Sequence, residues 1–186
     1  MKSFVFLRNI NFRSSSSSSS YKSTPLCDCE EEFDMTTREA KFYFRSIDLT
    51  SWNLSSLSGS GDRVTNNDPV SLQHWALVVH FERGNKTFIF EAWEDKETSL
   101  LQAGRAVVTE NSFFKNSTYL GCANTSPYQL LNEAKGVKGI GEAYSLGLFG
   151  FSNNCQTFVI RFIAKISRDL YLILPLKVPA AIFSNI

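Results

Sequence analysis

The sequence predicts an α+β domain in which an antiparallel sheet carries a helix packed against it, and three observations lead there. HWALVVHF (74–81) and TFIFEAW (87–93) are dense in β-branched and aromatic residues and are joined by a short link through Arg83, Gly84, Asn85 and Lys86, the pattern of a hairpin. Cys155, Phe158, Val159, Phe162, Ile163 and Ile166 recur at offsets of three and four, the stripe of a helix with one buried face. The chain of 186 residues is 43% hydrophobic with 16 Phe, enough for one real core of large rings plus some unpacked flank.

Residues 1–38 read as a low-complexity tail and residues 39–186 as the domain, with the informative motifs confined to 70–166. Before Asp28 the charges are Lys2, Arg8, Arg13 and Lys22, and residues 14–20 are all serine. Such a segment cannot bury enough apolar surface to order itself. Basic, serine-rich and acid-free also describes an organellar transit peptide, so cytoplasmic residence with mitochondrial or other organellar targeting as the alternative is the expectation. Cys27 and Cys29, followed by Glu30, Glu31 and Glu32, form a solvated acidic segment: two thiols one residue apart do not make a four-ligand metal site.

Order is expected from about Lys41, where AKFYFRSIDL has strand-like content, and 51–69 is a polar, Gly-containing loop. The hairpin follows. Beyond it, 128–135 reads as a short helix after Pro127. GVKGIG (136–141) has glycines but neither a preceding strand nor a following Lys-Ser/Thr, which excludes a phosphate loop. The last stretch, DLYLILPLKVPAAIFSNI, reads as a buried strand with a return, ahead of a weak membrane-surface anchor; Pro175, Lys177 and Pro179 interrupt it. No segment reaches the length of a membrane-spanning helix, and a net charge of +1 gives no field for holding nucleic acid. No cofactor or metal is expected.

Cys155 stands just past Asn153 and Asn154, either of which can cap the helix. A helix N-terminus carries partial positive charge, and thiols in such settings ionise at pKa values of about 3.5–7.5 rather than about 8.5. Free N–H groups at the same place can face an oxyanion, which makes Asn154 and Gln156 candidates for the cap and oxyanion role. A thiolate nucleophile needs a base, and the chain has two histidines, His74 and His80. Both share one strand face with Ala76 and Val78, while Trp75, Leu77, Val79 and Phe81 form the apolar face. Small neighbours leave His74 room for an approaching helix end; His80 is a bystander. The residue that orients the imidazole depends on hairpin register. A turn centred on Arg83-Gly84 places Glu91 opposite Ala76, diagonal to His74. A centre at Gly84-Asn85 places Asp95 opposite His74 instead. Glu91 is favoured.

HWALVV with its hairpin, then NNCQTFV opening a helix about eighty residues later, resembles the lecithin–retinol acyltransferase-like family, circularly permuted relatives of papain-like and NlpC-type cysteine hydrolases. The resemblance covers roughly residues 70–166. It implies a permuted papain-like fold with Cys155 as nucleophile, His74 as base and the polar residue of the next strand, Glu91, as orienting group. It implies acyl transfer or hydrolysis through a thioester, on an acyl-bearing small molecule or lipid. This chain has Glu91 where members often carry a second histidine, and Gln156-Thr157 where they often carry Glu-His after the cysteine. Its proline-broken tail replaces the hydrophobic anchor of many lipid-acting members. Two other readings stand beside the acyltransferase: a peptidase or isopeptidase of the same fold, and a non-catalytic interaction module in which Cys155 only packs.

Overall fold

The computed structural model describes residues 23–26, 33–48, 73–108, 117–145 and 152–178. Its centre is the hairpin read from the sequence. β3 (Gln73–Phe81) and β4 (Lys86–Glu94) pair antiparallel with Ala76 opposite Glu91 and Val78 opposite Ile89. The turn between them uses Gly84 and Asn85 at φ of 94° and 47°, left-handed backbone for which Gly and Asn are the least strained residues. β2 (Arg38–Asp48) lies on the other side of β3, and β5 (Leu101–Val108) on the other side of β4. β6 (Thr118–Thr125) extends the sheet beyond β2. A two-residue strand, β1 (Thr24–Pro25), closes the opposite edge against β5. The result is a six-stranded antiparallel sheet in the order β1-β5-β4-β3-β2-β6.

Among the described residues three helices accompany it: α1 (Pro127–Lys135), α2 (Cys155–Ile166) and α3 (Arg168–Lys177). The α+β class and the antiparallel sheet are as the sequence predicts. α2 lies on the face that carries Phe42, Trp75, Leu77, Val79 and Phe90. Its Phe158 and Phe162 complete that core, with Phe162 stacked against Phe158 at 5.7 Å and edge-on to Phe90 at 5.0 Å between centroids. Burying each such ring is worth about 1.5–3 kcal/mol, and the edge and offset geometries add about 0.5–1.5 kcal/mol per pair. A smaller cluster of Ala76, Val78, Ile89, Ala106 and Val108 occupies the other face. His74 and Glu91 share that second face by the two-residue period of their strands.

Two parts of the chain differ from the sequence-based expectation. Of the tail read as a buried strand, Asp169 to Lys177 instead belong to α3, capped by the Ser167 side chain, which accepts from the Leu170 N–H, and residues 179–186 lie outside the described residues. Pro175 sits in its last turn, where only one helical bond is lost, and Leu170 and Leu174 anchor the helix to the core. Within the segment read as tail, Thr24 and Pro25 belong to the sheet, paired with Arg105 and Gly104, and the Leu26 N–H donates to the Ala103 carbonyl. Cys27, Cys29 and their acidic neighbours, the serine run and the 51–69 loop lie outside the described residues. β2 begins at Arg38, slightly before the expected start of order. Among the described residues no helix is long and apolar enough to cross a membrane.

Candidate active site

α2 starts where β3 starts. The Cys155 Sγ lies 3.9 Å from the Gln73 carbonyl oxygen, and the Gln156 carboxamide N–H donates to the same oxygen at 3.4 Å. Gln73 is the first residue of β3, so the mouth of the helix meets the strand one residue before His74. That adjacency sets the Cys155 thiol near enough to the His74 ring to favour its charged form.

The helix mouth is built by a reciprocal cap. The Asn154 side-chain oxygen accepts from the Gln156 and Thr157 N–H groups at 2.9 and 3.1 Å, while the Thr157 hydroxyl accepts from the Asn154 N–H at 2.9 Å. These bonds satisfy the second and third amides of α2 and leave the Cys155 N–H, at its first position, outside the cap. Asn153 fastens the cap to the rest of the molecule. Its side-chain amide donates to the Gly139 and Ala143 carbonyls at 2.8 and 3.1 Å, and its backbone bridges Ser145. Gly139, one of the glycines of GVKGIG, has φ of 100°, and a Cβ on it would come within 2.1 Å of the Asn153 side chain. The glycine-rich stretch thus serves the cap.

Glu91 holds His74 from the neighbouring strand. The register with Ala76 opposite Glu91 sets the two side chains diagonally on one face, and His74 Nε2 lies 2.8 Å from Glu91 Oε2. Glu91 is fully buried, and its other oxygen, Oε1, accepts from the Ser23 hydroxyl of the segment leading into β1. Asp95, the alternative orienting residue, is engaged elsewhere: its carboxylate accepts from the Glu97 and Thr98 N–H groups at 2.9 and 3.0 Å and closes a local turn.

The electrostatics follow from these contacts. Burial, the largest single influence on His74, disfavours its charged form. Its interactions with Cys155 and with the Glu91 carboxylate outweigh that penalty, so the His74 pKa rises from 6.5 to about 10. His80 behaves oppositely: burial lowers its pKa, and Nδ1 is 2.9 Å from the Thr87 hydroxyl, remote from the thiol. Tyr144, half-buried after the 136–141 stretch, has its phenol pKa raised by burial and then by the charges of Cys155 and Glu94.

Cys155, His74 and Glu91 are therefore brought together, with Asn154 as cap and Gln156 as a strand-to-helix tie. Ser23 and Tyr144 were not indicated by the sequence. Neither has a motif around it: a lone serine beside a two-residue strand has no periodicity to read, and Tyr144 lies in irregular chain. Among the described residues no group of three or more His, Cys, Asp and Glu side chains is placed to hold a metal. Comparison with protein-family models, with curated proteins and with solved structures gives no match.

Proposed function

We propose that this protein is a cysteine-dependent acyl-transfer enzyme, built on a circularly permuted papain-like scaffold of the lecithin–retinol acyltransferase-like kind. The observation that carries this reading is the juxtaposition of Cys155, His74 and Glu91, with His74 Nε2 hydrogen-bonded to Glu91 and the thiol at a helix N-terminus against the strand residue before His74. Chain order supports the same reading, since the histidine strand and carboxylate strand precede the nucleophile helix.

In this mechanism the thiol proton already rests on His74, held there as an imidazolium, when the Cys155 sulfur attacks the carbonyl carbon of an ester or amide. The carbonyl π pair moves onto oxygen, where the Cys155 N–H and the positive end of α2 stabilise the negative charge. As the intermediate collapses, the bond to the leaving alcohol or amine breaks and His74 returns its proton to that group, leaving a thioester. An acceptor alcohol, amine or water then gives its proton to His74, attacks the thioester and frees the thiol. Glu91 keeps Nε2 protonated and faces the ring in both its charged and its neutral state, the role a carboxylate fills as well as a second imidazole.

The test uses the full chain with Cys27, Cys29 and Cys122 replaced by serine. Incubation with phosphatidylcholine vesicles is expected to add one acyl chain to Cys155, detected by intact mass and removed by neutral hydroxylamine. Cys155→Ala and His74→Gln should abolish the adduct, and His80→Gln should not. Faster labelling by a peptide vinyl sulfone than by lipid would move the assignment to a peptidase. No acylation from either, with iodoacetamide labelling that follows an ordinary thiol near pH ~8.5, would make the domain a non-catalytic module.

A further inference from the structure

We infer that Ser23 is a positioning residue of this site, acting through Glu91 on His74 from a short segment of chain at the far edge of the sheet. The inference rests on the acyl-transfer reading for its catalytic meaning and on the geometry for everything else. Glu91 is completely enclosed, and a buried carboxylate is tolerated only when its oxygens are hydrogen-bonded. His74 supplies one partner, on Oε2; the Ser23 hydroxyl donates to the other oxygen, Oε1. With both oxygens held, the carboxylate plane cannot turn away from the ring. Ser23 is itself 7% exposed and directs its hydroxyl inward, which a solvated edge serine does not do.

Sequence distance makes the contact informative. Ser23 and Glu91 are 68 residues apart and sit on either side of β5. The crossing is possible because β5 presents Gly104 at that level, paired with Glu91 on one side and Pro25 on the other. A Cβ at Gly104 would come within 2.3 Å of the Trp93 ring and 2.5 Å of the Thr24 carbonyl oxygen, so a side chain there would displace β1. Among the described residues, the other titratable or charged groups facing this part of the sheet include Cys155 from α2, which acts on His74, and Arg45 from β2 on the same face opposite Ala76. On that face β5 offers Gly104 and Ala106, so Ser23 is the donor that reaches Glu91 across this strand.

The experiment follows two readouts in the full chain carrying the three cysteine replacements. These are the His74 imidazole titration by NMR, with His80 as internal reference, and the pH profile of Cys155 acylation from phosphatidylcholine vesicles. Ser23→Ala is expected to lower the His74 midpoint by about half to one unit and to slow acylation about fivefold to tenfold, the scale of one ordinary hydrogen bond. Ser23→Thr, which keeps the hydroxyl, should restore both. A purely structural role for the edge strand would lower thermal stability and leave the His74 midpoint in place. An unshifted midpoint and unchanged acylation profile in folded Ser23→Ala overturns the inference. A shifted midpoint in a protein whose parent chain never acylates upholds the positioning role and removes the acyl-transfer reading instead.

Discussion

His74 keeps its proton far above the usual imidazole range because two neighbours reward the charged form more than burial penalises it. The consequence for stability has a definite sign. In the unfolded chain this group titrates near 6.5 and in the folded chain near about 10, so folding gains from the bound proton fully below 6.5. That gain is lost as pH rises through the window between the two values. Urea unfolding of the parent chain should therefore weaken from pH 6.5 to 10 relative to His74→Gln, and parallel curves over that range would refute the assignment. Glu91→Gln keeps the shape and removes the charge facing the ring. A charged hydrogen bond is worth about 1.5–3 kcal/mol, so Cys155 acylation should fall about 10- to 100-fold, measured as single-turnover rate. At this scale the sequence was informative about His74 and Cys155, because a histidine at the head of a buried strand and a cysteine past a cap are local signals. It left Glu91 and Asp95 open, because that choice belongs to the hairpin register, settled in three dimensions by the core face of each strand and by Gly84 and Asn85 in the turn. Ser23 was beyond reach: its meaning depends on a glycine 81 positions away.

Among the elements, α2 depends most on its first turn. Asn154 is buried and bonds two amides while Thr157 reciprocates, so Asn154→Ala should cost about 1–2 kcal/mol in chemical denaturation. Because the same turn holds the thiol, this variant should also slow iodoacetamide labelling of Cys155 at pH 6, whereas loss of the α1 cap in Ser126→Ala should cost stability alone. The helical stripe of α2 and the β3–β4 hairpin were plain in the sequence because each is amphipathic or continuously buried. β5 and β6 were not. LQAGRAVV spends its inner positions on Gly and Ala, and β6 alternates weakly along a half-exposed edge. α3 was misread as a strand because its Leu and Ile content outweighed the start signal of Ser167 and Asp169, and because Pro175 suggested a break where the structure has a final turn.

For the molecule as a whole, the aromatic face of the sheet supplies the stability that the polar site draws upon. Phe162 touches both the sheet and its own helix through Phe90 and Phe158, so Phe162→Ala should cost about 3–5 kcal/mol, read by calorimetry. Two glycines connect that framework to the site without belonging to it. Gly104→Ala should mimic Ser23→Ala in the His74 titration by pushing β1 outward. Gly139→Ala should loosen the Asn153 tie and lower thermal stability while leaving the His74 midpoint near its parent value. Either result is read in the same NMR series.

The parts of the site come from distant stretches of chain: Cys155 meets a strand 82 residues earlier, and Glu91 bonds a serine 68 residues before it. A ribosome delivers the imidazole and its carboxylate long before it delivers the sulfur that joins them. Any product of interrupted synthesis that stops short of Cys155 holds a histidine and a glutamate but lacks the group that would attack, so the cell meets this sulfur only with its partners already made.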